Sequence, residues 1–213
     1  MKHTRGMAIP TTLEDACDPQ RTALLVYDMQ VGICSQVKTA DQIIARISCL
    51  LAAARSRGMR VAFTRHLSLP TTWMGSIQYR TAMAWQAKDE PDSVAPWFLR
   101  DAPGFQIVSE LTPRPEEAVF DKITMSAFEG TPLAIALRDC GISSIAIVGI
   151  ATEVGIEPTA RHAADLCFIP VIIADACGGG DEAAAQRSLE SLRFAGDAII
   201  SDTETFTDLL IQA

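Results

Sequence analysis

Three places in the chain put groups capable of acid–base chemistry at the end of an apolar run. Asp28 closes the run over residues 23–27, Lys122 follows the run over 118–120, and the turn 151–155 follows the run over 145–150. A carboxylate beside a lysine holds its charge more readily, whereas burial pushes it toward an acid that works near neutrality. Either state can move a proton to or from a substrate. The turn leads from a strand into a helix of small residues, and N–H groups free at such a junction form a ready anion site. Taken singly these signals are weak: an Asp after a strand is commonly a turn or cap residue, and a Lys there commonly lies in solvent. In an open parallel sheet, however, all three would share the crevice beyond the carboxyl ends of the strands, where ligands bind.

The elements that must position them follow from periodicity. Residues 23–27, 61–64, 118–120, 144–150, 169–174 and 198–200 are short apolar runs of the kind that form strands, the first buried on both faces. Between 38 and 57, Ile43, Ile44, Ile47, Leu50, Leu51 and Ala54 recur at helical spacing, and Gly58 is a stop. Thr131 and Pro132 predict an N-cap and first turn for a helix running to about Asp139, and Pro158 places the start of regular helix near Glu157. Further helices are expected over 181–194 and 203–210. Strands alternating with helices predict an α/β fold, a doubly wound parallel sheet in three αβα layers. Residues 1–20 read as an extended lead-in. Residues 66–105 break the rhythm with four prolines and all three tryptophans, and are expected to form a lid in which Trp73, Arg80, Tyr79 and Trp85 contact substrate or a neighbouring subunit.

The chain is 213 residues long and 48% hydrophobic, enough for one domain spanning 1–213 with the lid at about 66–105. A net charge of −8 without a Lys/Arg cluster argues against nucleic acid. No apolar run reaches the ~18 residues of a membrane span. The six cysteines lie apart, with no CxxC pair and no metal-ligand spacing to the three histidines, as expected of reduced thiols in a cytoplasmic protein. The expected partner is a small-molecule substrate, with no membrane, no metal and no cofactor.

The segments LLVYDMQ, DKITMSAFEGTPL and GIATEVG, in that order, resemble the motifs of the isochorismatase-like, or cysteine hydrolase, superfamily. The likeness runs from about residue 20 to the C-terminus. It implies a catalytic Asp28 and Lys122, an oxyanion or carboxylate hole made by the amides of Ala151 and Gly155 beside Thr152, a cis peptide joining Ile150 and Ala151, and a homodimer or homotetramer. Gly155 stands where most members carry the nucleophilic Cys, and losing a nucleophile costs on the order of a million-fold in turnover. Members that cleave a vinyl ether also have Gly there and use the Asp as a general acid, with Lys orienting it or holding a substrate carboxylate. The resemblance therefore implies a hydrolase acting through Asp28 and Lys122 without a covalent intermediate. Two alternatives stay open: a non-catalytic binding protein, and an amidase using a relocated thiol at Cys34 or Cys177. His66 alone follows the second strand, too few donors for a metal site, and His162 is expected to be a hydrogen-bonded helix residue.

Overall fold

Residues 1–212 are described here from a computed structural model. The lead-in is more regular than expected. Arg5 and Gly6 both adopt left-handed backbone, the geometry of a tight two-residue hairpin turn, and they join β1 (Lys2–Thr4) to β2 (Met7–Ile9). A single helical turn, α1 (Leu13–Ala16), follows, capped by the Thr12 hydroxyl.

All six expected strands form. They are β3 (Thr22–Tyr27), β4 (Arg60–His66), β5 (Ala118–Lys122), β6 (Ser144–Ile150), β7 (Ile169–Gly178) and β8 (Ile199–Ser201), all parallel, in the order β5-β4-β3-β6-β7-β8. Every residue of β3 and β6 is buried, because helices cover both faces of these central strands. Alternation divides the core in two. Leu24, Val26, Val148 and Val171 face Ile47, Leu51 and Phe206 of α3 (Ala40–Ser56) and α8 (Thr203–Gln212). Leu25, Tyr27, Ile145 and Ile172 face Leu137, Ala160 and Leu192 of α5 (Leu133–Asp139), α6 (Glu157–Asp165) and α7 (Glu182–Ala195). A short helix, α2 (Val31–Cys34), follows Asp28 directly, and α4 (Ser76–Gln86) lies within the expected lid. No described helix is long and apolar enough to cross a membrane.

Two local expectations are corrected. Helix α5 has Pro132 at its N-cap, and Thr131, one residue earlier, accepts the Leu133 amide at 3.3 Å while donating to the Ala127 carbonyl at 2.6 Å. The fifth strand, expected over 169–174, continues as β7 to Gly178, which pairs with Ile150.

The register aligns the site. Tyr27 pairs with Gly149 and His66 with Lys122, so Asp28, His66, Lys122 and Ala151 emerge along one edge. Gly149, at φ 128°, has to be glycine: a Cβ there would run into the Tyr27 backbone. Gln30 ties down both ends of the segment 66–105. Its side chain accepts the His66 amide at 2.6 Å and donates to the carbonyls of His66 and Phe105 at 3.1 and 3.0 Å.

Candidate active site

Asp28 stands at φ 48°, a left-handed conformation uncommon for a side chain other than glycine, and its surroundings hold it there. Its amide donates to the Thr64 carbonyl and hydroxyl, each at 3.2 Å. The Thr64 hydroxyl donates to Asp28 Oδ1 at 2.6 Å, and the Lys122 ammonium donates to Oδ2 at 2.6 Å. Lys122 has a side chain with 0% exposure and three donors, and all three are used: on Asp28, on the Tyr27 hydroxyl at 2.8 Å and on the Thr124 carbonyl at 3.1 Å. Of the roles the resemblance left to Lys122, holding Asp28 fits this geometry, and holding a substrate carboxylate does not.

A fully buried ion pair is costly to break one-sidedly, because the survivor keeps its desolvation cost without its partner. Lys122→Met is therefore expected to lower stability by about 3–5 kcal/mol. The double exchange Asp28→Asn with Lys122→Met should recover most of that loss. Urea midpoints of the parent and the two variants check this, and a Lys122→Met protein as stable as the parent would mean that the pair is solvated.

Tyr27 was not singled out by sequence, yet it explains Gly155. A Cβ on Gly155 would overlap the Tyr27 hydroxyl and ring. The phenol thus fills the space beside Asp28 and Lys122 that a side chain at 155 would need. Its hydroxyl donates to the Met125 carbonyl and accepts from Lys122. Burial, together with the Asp28 charge, pushes it well above the usual phenol range, so it stays protonated. The available signal was the strand's alternation, which points Tyr27 to the face where α6 packs.

The turn after β6 matches the expectation in part. The Ile150–Ala151 peptide is cis and regular helix starts at Glu157. Between them, residues Thr152–Ile156 make a π-helical turn in which the amides of Gly155 and Ile156 both donate to the Ala151 carbonyl, at 2.9 and 3.1 Å. The Gly155 amide is therefore occupied within the turn, and a ligand-facing hole is confined to the amides of 151–154. Thr152 is buried and donates to the Gly178 carbonyl at 3.2 Å.

A cavity of about 350 Å³ opens at this edge, with Tyr27, Asp28 and Ala151 at its base. The segment 66–105 does supply one wall, but through His66, Trp85, Trp97 and Phe98. Trp73, at 77% exposure, and Arg80, also exposed, do not line it. The difference arises because α4 presents Trp85 inward and Arg80 outward, a choice that its weak amphipathicity does not announce. A larger depression, about 560 Å³, lies at the amino ends of the strands, around Arg55 and Glu117, far from the Asp28–Lys122 pair.

Burial lowers the His66 imidazole to about 4, with Asp28 and Lys122 acting on it in opposite senses. A histidine whose folded value lies below its unfolded 6.5 binds fewer protons folded than unfolded in that interval. Its contribution is thus complete above pH 6.5 and lost as the pH falls toward 4. Melting temperatures across this window should fall less steeply for His66→Phe than for the parent; parallel slopes would exclude His66 as a source.

Burial also pushes Cys34 up to about 11 and Cys177 up to about 12, so neither is a thiolate near neutrality. Cys177 donates instead to the Ile147 carbonyl. His162 accepts or donates through Nδ1 to the Ser126 hydroxyl at 2.9 Å, the helix role expected of it. Among the described residues no group of three or more His, Cys, Asp and Glu side chains is placed to hold a metal ion, and His66 meets the edges of Trp85 and Phe98.

An open parallel sheet with a buried carboxylate–ammonium pair under a cavity at its carboxyl edge has the architecture of the doubly wound α/β class, whose ligands bind at that edge. Residues 22–205 match the Isochorismatase domain, and the chain belongs to that family, as a hydrolase of the isochorismatase-like type. Among solved structures it is similar to a cysteine hydrolase from Pseudomonas syringae pv. phaseolicola, with 24% identity, 97% of this chain and 99% of that one covered, and a TM-score of 0.82. An isochorismatase family protein from Burkholderia thailandensis is 26% identical, with 92% and 98% covered and a TM-score of 0.74. The pyrazinamidase of Pyrococcus horikoshii, in complex with zinc, is 23% identical, with 85% and 99% covered and a TM-score of 0.72.

Proposed function

We propose that the protein hydrolyses a small molecule with Asp28 as the acid–base group, Lys122 as its fixed partner and no covalent cysteine intermediate. The observation that carries this reading is the Tyr27 hydroxyl, lodged where a side chain at Gly155 would have to stand. With that space filled, proton transfer is the chemistry left to the cavity base. Asp28 either takes a proton from attacking water or, once protonated, passes it to the substrate. Lys122 keeps the carboxylate aimed. Amides of the 151–154 turn are the donors available to a developing oxyanion.

The test is hydrolysis of a panel of enol ethers and small amides by the parent and by Asp28→Ala, where equal rates sink the proposal. A second reading, a binding protein without turnover, draws on a specific feature: both Asp28 oxygens and all three Lys122 donors already have partners within the protein. It expects ligand binding with no turnover by the parent or by Asp28→Ala. The proposal also carries a reducing, cytoplasmic setting, supported by six unpaired cysteines of which three are exposed, and a homodimer or homotetramer, for which exposed Trp73, Ile77 and Phe194 offer apolar surface.

A further inference from the structure

The cavity's walls differ in character from its base. Four lid rings meet edge to face in succession: Trp85 against His66 at 6.3 Å and 67°, His66 against Phe98 at 6.0 Å and 86°, and Phe98 against Trp97 at 6.2 Å and 82°. Rings at near right angles make an aromatic corner, all four line the cavity, and a ring face turned to it attracts a cation through its quadrupole. His66, held neutral by burial, adds no opposing charge.

Asp28, Glu153 and Asp181 line the cavity, and no described arginine or lysine does; Asp28 is offset by its Lys122 partner, whereas Glu153 and Asp181 have no cationic partner among the described residues. The nearest ammonium, on Lys122, is wholly covered and has no donor to spare. Glu153 accepts the amides of Gly180 and Asp181 on Oε1, at 2.9 and 3.3 Å, whereas its buried Oε2 has no partner among the described residues. A carboxylate-bearing substrate would meet these groups with only partial backbone charges in its favour.

Resting on the hydrolase reading above, we infer that the substrate carries an alkylated ammonium group, seated in the aromatic corner with its scissile bond turned toward Asp28. The volume, about 350 Å³, suits such a small molecule.

Three probes of one shape and different charge test this by calorimetry: choline, its neutral analogue with carbon in place of nitrogen, and tert-butylacetate. Choline is expected to bind roughly tenfold more tightly than the neutral analogue, with the anion weakest. Trp85→Leu or Trp97→Leu, at partly exposed positions that tolerate exchange, should bring choline close to the neutral probe and leave the latter little changed. Equal or tighter binding of the neutral or anionic probe, or no saturable choline binding at millimolar concentration, overturns the inference. None of the probes has a bond to hydrolyse, so this outcome is separate from whether Asp28 supports turnover.

Discussion

Asp28→Asn is expected to lower kcat by about 10²- to 10⁴-fold on whichever panel substrate the parent turns over, with KM changed far less. The exchange keeps an oxygen for the Thr64 hydroxyl but removes the group that exchanges a proton with substrate or water. It also leaves Lys122 buried without its counter-charge, so lost activity alone could reflect lost structure. The double variant Asp28→Asn with Lys122→Met removes both charges and separates the two effects: it should be folded, by melting temperature, and still inactive. A folded double variant that retains parental turnover would exclude Asp28 from the chemistry.

The second large effect concerns Gly155. Gly155→Cys alone is expected to destabilise the protein by about 1–3 kcal/mol, because the new side chain overlaps the Tyr27 hydroxyl and ring in a packed interior. Tyr27→Val opens that space. In the double variant the thiol would stand beside Asp28 and Lys122, whose ammonium would favour the thiolate. The two exchanges should therefore be coupled by about 0.5–3 kcal/mol, the double variant being more stable than the sum of the singles allows. Iodoacetamide should label the new thiol quickly in the double variant, well ahead of the buried Cys34 and Cys177, and slowly in Gly155→Cys alone. A Gly155→Cys protein that is as stable as the parent and reacts readily would show that Tyr27 does not hold that place. Amide hydrolysis gained only with both exchanges would further identify Tyr27 as the barrier to thiol chemistry.

Much of the architecture was legible because it is encoded over short windows. Each strand is a run of a few apolar residues, and α3 is marked by apolar positions three and four apart and by the Gly58 stop. Pro158 marked the start of regular helix at Glu157 because its missing N–H is tolerated in a first turn. The hairpin at 2–9 was missed because its six strand residues are all exposed, leaving no burial pattern to read. Its one signal was the glycine of the turn.

The site was legible in outline for a related reason. Asp28, Lys122 and Ala151 all end parallel strands, and the chain order of a doubly wound sheet brings strand ends together whatever the details of packing. Arg80 does not line the cavity because a half-exposed helix has no strong face, so which side of α4 turns inward depends on what it meets; Trp73 stands exposed in the turn before that helix. Gln30 carries no local mark of its task, since its partners at His66 and Phe105 are 36 and 75 residues away.

By itself, then, the amino-acid order determined the layered α/β fold, the family and the pair of charged side chains at the sheet edge, because periodicity and motif order are properties of neighbouring residues. Only the tertiary structure decided that a phenol occupies the place beside Gly155, that the Gly155 amide is already bonded within its own turn, and that four lid rings and three carboxylates surround the cavity. These are matters of which distant atoms come to share one small volume, and short-range pattern carries no record of that.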